Sequence, residues 1–359
     1  MDLGGRQTTL SILAYENLKR HLGVSDLPTR VMSHTWQTAF IDESILEKFD
    51  IDTRHIRPAS KVNDAVGEHL SLGNDTFVDE WGVKRQIAGD YANLIEHPLR
   101  TARLEDLDTF PWPDPADDYD FESLGEPARK LYEEGEYALV GCLGSPGNVF
   151  EQAWYLRGLA EFMKDMIKNK DFAHAVMRNV LDVRKHNAEL YLREVGEFID
   201  VIQLADDLAS HENLLISPKL YQELVKPYQL ELCQYVKSLT KAKIYYHSCG
   251  SISPLLDELI DNGVDILNPV QVSAANMDTR MLKKRYGKNL SFWGAIDTFD
   301  ALPNGTVRDV EAEVEKRIRD LAPGGGYVMG PVHNICVDVP PENVVAMYET
   351  GLRHDARAA

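Results

Sequence analysis

Eight short apolar runs, separated by long amphipathic segments, constrain this chain more than any other feature of its sequence. Several runs are almost continuous in apolar residues, which is typical of parallel strands buried on both faces. Strands that alternate with helices in this way predict an α/β fold, a (β/α)8 TIM barrel. The predicted strands span residues 30–35, 51–58, 137–145, 198–207, 242–250, 264–271, 290–297 and 326–333.

The segments between the runs carry helix signals. Residues 158–196 predict two consecutive helices. Ser217 is a favourable N-cap, and Pro218 occupies the first helical position after it. Gly263 is suited to end a helix, and prolines open a last helix within 340–356. These signals fit helices that cover the outside of a barrel.

Residues 59–136 do not fit a simple strand–helix unit, because they contain hairpin-like pieces with turn residues such as "GND". We predict a single barrel domain over residues 1–359, with 59–136 as an insertion or lid between early strands. The main alternative is an open doubly wound sheet. That fold would need a glycine-rich phosphate-binding turn after an early strand, and the sequence has no GxGxxG or Walker motif.

Composition narrows the class of protein. The formal net charge is -19, and a surface this acidic disfavours nucleic acid and anionic membranes as partners. Four cysteines form no dense framework of the secreted kind. No apolar run approaches the ~18 residues of a membrane span, and no signal peptide is visible. These features predict a cytoplasmic protein.

Polar side chains follow the later strands, where a (β/α)8 barrel places its active site. Each has a structural reading: a satisfied histidine, a helix-capping aspartate, or a buried cysteine acting as a small apolar residue. Their convergence on one rim favours a functional site. The candidates are Asp206, Asp207, His247, Cys249, Asn268, Gln271, Asp297, His333 and Cys336.

His247 and Cys249 are two residues apart at a strand end, so both side chains point to the same side of the sheet. With Cys336 they form a set of one histidine and two cysteines, which is typical of catalytic zinc. A nearby carboxylate is the alternative third ligand. We also expect the outer ring nitrogen of His247 to meet an acceptor, as ligating histidines usually do.

Three segments resemble the uroporphyrinogen decarboxylase superfamily, and within it most closely the corrinoid-dependent methyltransferase branch. They are "HSCGSISPLLDELIDNGVDILNPVQ", "FWGAIDTFDALPNGT" and "APGGGYVMGPVHNICVDVPPENVVAMYE". This branch includes methylcobalamin:coenzyme M methyltransferases and the methyltransferase components of anaerobic O-demethylases. The resemblance covers most of the chain and implies a (β/α)8 barrel. It also implies zinc on an HxC pair and a later cysteine, here His247, Cys249 and Cys336.

Sequence features distinguish this chain from the decarboxylases of the superfamily. The decarboxylases carry an Arg-Gln-Ala-Gly-Arg segment that grips substrate carboxylates, whereas the comparable strand here, residues 31–40, has no arginine. His333 sits where the decarboxylases place a functional histidine, so it does not discriminate. The "HSCG" segment does, because the decarboxylases need no metal. The late cysteine of the coenzyme M branch lies slightly earlier, relative to the final helix, than Cys336 does.

The resemblance therefore implies a zinc-dependent methyltransferase that acts with a corrinoid. We favour methyl transfer from a methoxylated aromatic substrate to a corrinoid carried by a separate protein, since the chain has no corrinoid module of its own. The alternatives are a methylcobalamin:thiol methyltransferase, a metal-free tetrapyrrole decarboxylase and a non-catalytic corrinoid-binding barrel.

Roles follow for the remaining residues. His333, Asp206 or Asp207 is expected to protonate the leaving oxygen. Aromatic side chains are expected to line the barrel mouth, with plain core packing as the alternative for Trp36, Trp154 and Trp293. The predicted substrate-binding residues are Asn268, Gln271, Asp297, His34 and Trp36.

Overall fold

The computed structural model describes residues 1–61, 76–144 and 149–354. Seven of its strands form one parallel, curved sheet in the order β14-β13-β12-β11-β10-β9-β3. The strands, numbered along the chain, are β1 (Val31–Ser33), β2 (Thr38–Ala39), β3 (Thr53–Ile56), β4 (Ala59–Ser60), β5 (Thr76–Val78), β6 (Lys84–Ala88), β7 (Tyr91–Glu96), β8 (Tyr119–Asp120), β9 (Ala138–Cys142), β10 (Val201–Ala205), β11 (Lys243–His247), β12 (Ile266–Asn268), β13 (Ser291–Ile296) and β14 (Tyr327–Pro331).

Helices follow the strands of this sheet, as the alternating pattern predicts. The two helices expected within 158–196 are present, and Ser217 caps a helix whose first residue is Pro218. The α-helices are α1 (Ile12–Leu22), α2 (Glu43–Lys48), α3 (Pro115–Asp118), α4 (Gly125–Glu134), α5 (Phe150–Arg157), α6 (Leu159–Lys168), α7 (Lys170–Val195), α8 (Pro218–Leu220), α9 (Lys226–Leu239), α10 (Leu256–Asp261), α11 (Thr279–Tyr286), α12 (Ala301–Asn304), α13 (Val307–Leu321) and α14 (Pro341–Arg353). In the described ranges, no helix is both long enough and apolar enough to span a bilayer.

Seven of the eight predicted strands belong to the barrel sheet, and the (β/α)8 class is confirmed. The first predicted strand, residues 30–35, is wrong as a barrel strand. Its core forms β1, which pairs antiparallel with the short β2 instead of joining β3 or β14. Only Val31 and Met32 are apolar in "RVMSHT", which is a shorter apolar run than a strand buried on both faces usually has.

The gap between β14 and β3 is filled by the N-terminal segment, residues 1–11. The amide of Asp2 donates to the carbonyl of Met329 at 2.9 Å, and the carbonyl of Met1 accepts from Asp52 at 3.1 Å. Further along, Leu10 forms a parallel bridge with Ile335. This irregular segment therefore joins the two edge strands of the sheet and takes the place of an eighth strand.

Residues between β3 and β9 form smaller sheets beside the barrel. Strands β5, β6 and β7 make an antiparallel sheet, and β4 pairs with β8. The turn between β6 and β7 reaches the loop after β14, where Asp90 accepts from the amide of Val337 at 3.1 Å. The predicted "GND" turn lies outside the described residues. The single-domain organisation, with 59–136 as a lid, stays a prediction.

The barrel interior contains a small apolar cluster formed by Val140, Val201, Tyr245, Ile266 and Trp293. Trp293, a candidate for the barrel mouth in the sequence analysis, lies in this interior and is 2% exposed. Its indole nitrogen donates to the Asp2 carboxylate at 2.8 Å. Trp293 therefore packs in the core of the barrel, which was the alternative prediction for this residue.

Candidate metal centre

Three neighbouring strands end at the same level of the barrel. The parallel register pairs Ala205 of β10 with His247 of β11, and His247 with Asn268 of β12. His247 and Asn268 are buried. Because the carboxyl ends of parallel strands meet at one rim, residues far apart in sequence become direct neighbours here.

Asn268 fixes the protonation of the His247 ring. The amide nitrogen of Asn268 donates to the carbonyl of Trp293 at 3.1 Å, so the amide oxygen faces His247. That oxygen lies 2.5 Å from Nδ1 of His247, which must therefore carry the hydrogen. The predicted acceptor for the outer nitrogen is confirmed. Nε2 keeps its lone pair and points at Sγ of Cys249, 3.4 Å away.

The loop after β11 holds Cys249 by its backbone. The amide of Cys249 donates to Asp207 at 2.8 Å, and the amide of Gly250 donates to Gln271 at 2.7 Å. Gly250 has a φ of +88°, and a Cβ there would lie 2.4 Å from the carbonyl oxygen of Ser210. Only glycine fits this position, which explains the glycine of "HSCG".

His333 completes a compact group with His247 and Cys249. The candidate ligand atoms of these three residues all lie within 4.8 Å of one another. Nδ1 of His333 is buried and has no hydrogen-bond partner within the described part of the chain. A buried nitrogen without a partner is costly unless a ligand satisfies it. We call His247, Cys249 and His333 the metal-type cluster.

The electrostatics favour neutral imidazoles in this cluster. Burial lowers the pKa of His247 to about 4, with a further lowering by Arg6, while the bond to Asn268 opposes it. Burial, then the charge of His247, lowers the pKa of His333 to about 4. Burial raises the pKa of the Cys249 thiol. Two neutral rings and one thiol suit a cation that accepts nitrogen and sulfur ligands, such as zinc.

Cys336, predicted as the third ligand, is not part of the metal-type cluster. Its thiol lies 3.4 Å from the hydroxyl of Tyr91 and 3.6 Å from the carbonyl of Asn334. Burial raises the pKa of this thiol to about 11. Among the described residues, no carboxylate belongs to the cluster either, and its third member is His333.

Asp206, predicted as a proton donor, caps a helix instead. Its carboxylate accepts the amides of Val149, Phe150 and Glu151, which open α5, at 2.6–3.2 Å. It also accepts the side-chain amide of Gln229 at 2.9 Å. The residue is fully buried, and these four donors contact both of its oxygens. The geometry favours this structural role over the predicted catalytic one.

Asp207 and Glu151 face the cavity above the metal-type cluster. This cavity is lined by Arg6, Gln7, Trp36, Glu151, Ala205, Asp207, His247, His333 and Asn334. Burial raises the pKa of Asp207, although the Cys249 amide and His333 lower it. Burial, then the charge of Asp207, raises the pKa of Glu151 to about 8, and Tyr155 donates its hydroxyl to that carboxyl group. Glu151 therefore holds a proton near neutral pH.

The predicted substrate-binding residues do not all line the cavity beside the metal-type cluster. Trp36 lines the cavity, with its ring 5.9 Å from that of His333. Asn268 and Gln271 support His247 and the Cys249 loop from behind. Asp297 caps the loop after β13 by accepting the amide of Phe299 at 2.9 Å. His34 accepts a bond from the side chain of Gln37 through its carbonyl and is not among the cavity-lining residues.

Sequence reasoning missed Arg6, Gln7 and Glu151, which also line the cavity. Arg6 and Gln7 lie in the N-terminal segment, which has no motif and no apolar periodicity. Glu151 was detectable in principle. It is a lone carboxylate in the apolar stretch "VFEQAWYL", and such a residue is rarely buried without a role.

The chain belongs to the uroporphyrinogen decarboxylase (URO-D) family, whose pattern matches residues 78–354. A uroporphyrinogen decarboxylase of Aliarcobacter butzleri is 24% identical over 277 residues, which cover 74% of each chain. The methylated-thiol--coenzyme M methyltransferase of Methanosarcina mazei is 26% identical over 61% of this chain and 53% of its own length. The family relatives therefore include both a decarboxylase and a methyltransferase.

The fold has a solved counterpart. A methyltransferase from Methanosarcina mazei superposes with a TM-score of 0.64, over 97% of this chain and 94% of its own, at 17% identity. The comparison supports the barrel architecture across almost the whole chain.

Proposed function

We propose that this protein is a zinc-dependent methyltransferase that moves a methyl group from a methoxylated substrate to a corrinoid carried by a separate protein. One observation carries the proposal: His247, Cys249 and His333 converge at the barrel rim with their ligand atoms within 4.8 Å. A metal-free tetrapyrrole decarboxylase has no need of such a group. The methyltransferase relative supports the same choice.

His247, Cys249 and His333 would hold the zinc ion in this proposal, with His333 in the place predicted for Cys336. Zinc bound there supplies Lewis-acid chemistry at the oxygen of a methoxy group. Three protein ligands are the usual number in a catalytic zinc site, because the fourth position is kept for water or substrate. Asn268 keeps the His247 ring oriented and leaves Nε2 unprotonated.

Residues of the chain itself donate the proton that the leaving oxygen needs. When the methyl–oxygen bond breaks, the bond electrons stay on oxygen, and that oxygen needs a proton. Glu151 lines the same cavity as the metal-type cluster and has a pKa raised to about 8 by burial and by Asp207. We assign it as the proton donor, with Asp207 as the alternative, because His333, also predicted for this task, is a zinc ligand in this proposal. Trp36 forms an apolar wall beside His333.

A thiol variant is the second candidate, favoured by the name of the methylated-thiol--coenzyme M methyltransferase relative. In that variant, zinc on the same cluster would hold a thiol substrate as its thiolate after the thiol proton is lost, and the thiolate sulfur would take the methyl group from a methylated corrinoid. Both variants need a corrinoid partner. The cluster's position at the barrel rim fits a partner that approaches from outside.

The test mixes the purified protein anaerobically with a methoxylated aromatic compound and a reduced corrinoid. We expect the visible spectrum of the corrinoid to change to that of its methylated form, and His247→Ala to abolish the change. Cys336→Ser is the matched thiol control and should retain it. Methylation of free thiols from methylcobalamin, without demethylation of ethers, selects the second candidate. No methyl transfer in either direction, with decarboxylation of an acidic tetrapyrrole, contradicts both.

A further inference from the structure

The loop after β14 pairs with the N-terminal segment as neighbouring strands do. The amide of Ile335 donates to the carbonyl of Thr9 at 2.8 Å, and the carbonyl of Ile335 accepts from the amide of Ser11 at 2.8 Å. One residue earlier, a side chain joins this ladder, because Oδ1 of Asn334 accepts the amide of Thr9 at 3.2 Å. These bonds fix both the position of Asn334 and the orientation of its amide group.

The amide nitrogen of Asn334 faces the cavity above the metal-type cluster. Asn334 lines this cavity and is 5% exposed. Because the oxygen of its amide group is turned to Thr9, the polar atom that it presents to the cavity is Nδ2, a donor with two N–H groups. No acceptor among the described residues bonds to Nδ2. A buried donor is costly without an acceptor, so this nitrogen calls for a ligand.

The neighbours of Asn334 in the cavity are the groups that the proposed function assigns to the methoxy oxygen. His333, the preceding residue, belongs to the metal-type cluster, and Glu151 lines the same cavity as the proton donor. An oxygen atom that meets both therefore lies in the space that Nδ2 of Asn334 faces. An asparagine side chain does not ionise, so its contribution there is a fixed hydrogen-bond donor and not a proton.

We propose that Asn334 is a catalytic residue whose Nδ2 donates a hydrogen bond to the leaving oxygen of the methyl donor. This inference rests on the proposed function and adds a group to its site. The reduced corrinoid supplies the electron pair of the new bond to the methyl group, and the electron pair of the broken carbon–oxygen bond stays on oxygen. Nδ2 stabilises the negative charge that develops there until Glu151 delivers its proton. Donors fixed in advance toward such an oxygen are among the largest contributions to catalysis.

The inference gives the N-terminal segment a task at the site. The segment fills the gap between β14 and β3, and its Thr9 also orients Asn334. An asparagine held only by its own backbone would lose side-chain freedom on binding the oxygen. Asn334 is already fixed by Thr9, so this cost does not arise during the reaction.

Two variants separate donation by Nδ2 from the contact with Thr9. Asn334→Asp keeps an oxygen that accepts the Thr9 amide but has no donor, and Asn334→Ala removes both. With the full-length, zinc-loaded protein, methoxybenzene and reduced corrinoid, we expect kcat to fall at least ~10-fold in both variants and KM to change less than ~3-fold, since the hydrogen bond strengthens as charge develops. Asn179→Ala, which removes an amide bonded within α7 at 2.9 Å, is the matched control and should keep the native kcat.

The dependence of the rate on the leaving group is a readout that a merely structural role would not move. Methoxybenzenes with a para nitro, chloro or methyl group release phenols of increasing basicity, so their leaving oxygens need increasing stabilisation. We expect the rate of Asn334→Ala to fall more steeply along this series than the native rate, because one donor to the oxygen is missing. Equal slopes would mean that Asn334 only holds the N-terminal segment, and would overturn the inference.

Phenol binding tests the same hydrogen bond without methyl transfer, because the oxygen of phenol resembles the leaving oxygen after the bond has broken. By calorimetry, Asn334→Ala should weaken phenol binding ~3–10-fold, and binding of toluene, which has no oxygen, by less than ~2-fold. Unchanged phenol binding in a variant that is folded by circular dichroism contradicts the inference. If phenol binding depends on Asn334 while the native protein transfers no methyl group, the donor role is supported and the proposed function alone fails.

Discussion

Asn268 determines which ring nitrogen of His247 carries the hydrogen. The two residues face each other across neighbouring strands, and the amide of Asn268 is itself fixed by the carbonyl of Trp293. The ring therefore presents an unprotonated Nε2 to Cys249. Asn268, predicted to bind substrate, thus sets the tautomer of His247, which is the proposed metal ligand.

Replacing Asn268 tests this role. Asn268→Leu removes the acceptor for Nδ1, so the ring is free to turn or to change tautomer, and we expect zinc affinity to fall ~10–100-fold. Asn268→Asp keeps an acceptor at the same place and should restore most of the affinity. Zinc affinity is measured by competition with a chelator. Equal affinity in the leucine variant and the native protein contradicts the role.

Glu151 gives a second prediction at this scale. Its pKa is raised to about 8 by burial and by Asp207, so the carboxyl group is protonated below that pH. Methyl transfer should therefore decline as the pH rises through about 8. Glu151→Gln should keep its zinc but lower the transfer rate ~10²-fold or more, since the proton donor is lost. A native transfer rate in this variant would contradict the role of Glu151 and leave Asp207 as the proton donor.

At the scale of elements, α5 is positioned by one buried carboxylate. Asp206, at the end of β10, accepts the first amides of this helix and so fixes both Glu151 and Gln152 relative to the barrel. The two residues face different spaces because they are consecutive on one helix turn. The orientation of α5 thus sets the position of Glu151 in the cavity beside the metal-type cluster.

Asp206→Asn should destabilise the protein by ~2–4 kcal/mol. The asparagine keeps one oxygen, while its NH2 group would face amide donors that then lack an acceptor. The free energy of unfolding in denaturant measures the change. Asp278→Asn, at the exposed N-cap of α11, is the matched control and should have a smaller effect. If Asp206→Asn abolishes methyl transfer without loss of stability, the residue is catalytic as the sequence analysis predicted.

Some structural elements can be predicted from the sequence and others cannot, and the difference has physical reasons. Strands β9 to β14 are visible because they are short apolar runs between helices, and the barrel rule then brings His247, Asn268 and His333 to one rim. The place of the N-terminal segment in the barrel cannot be predicted from the sequence. Backbone hydrogen bonds to β14 and to Asp52 fix this segment, and backbone hydrogen bonds produce no periodic pattern of apolar side chains.

The composition of the site was predictable only in part. His247 and Cys249 follow from their spacing on a strand. His333 and Cys336 lie three residues apart in one loop, and nothing in that spacing tells which side chain turns toward His247. Arg6, Gln7 and Glu151 are distant in sequence from His247, so their place in the cavity is known only from the fold.

At the scale of the whole molecule, Asp2 connects the two edge strands of the barrel sheet, β3 and β14. Its fully buried carboxylate accepts from Thr53 and His55 of β3, and from Trp293 of β13. Its backbone also bonds to β14. The two edge strands are thus joined through one residue of the N-terminal segment.

The pKa of Asp2 makes this role measurable. Burial alone would raise the pKa, but the charge of His55 and the hydrogen bonds from His55, Thr53 and Thr8 lower it to about 2. Because the folded pKa lies below the ordinary value of 3.8, the ionised carboxylate contributes ~2 kcal/mol of stability above that pH, and the contribution is lost as the pH falls toward 2.

We expect Asp2→Asn to destabilise the protein at pH 7, and the difference from the native protein to shrink between pH 5 and pH 3. The free energy of unfolding, measured across this range, provides the test. A difference that stays constant with pH would mean that Asp2 acts through packing and not through its charge.

The most direct test of the metal centre is X-ray absorption at the zinc edge of the zinc-loaded protein. The number and type of ligands distinguish the assignments, since sulfur ligands lie at ~2.3 Å from zinc and histidine nitrogens at ~2.0–2.1 Å. We predict one sulfur and two histidine nitrogens, from Cys249, His247 and His333, with the sulfur lost in Cys249→Ser and kept in Cys336→Ser. Two sulfurs would return Cys336 to the ligand set in place of His333. Zinc that binds only through oxygen, or does not bind at all, would contradict the metal centre.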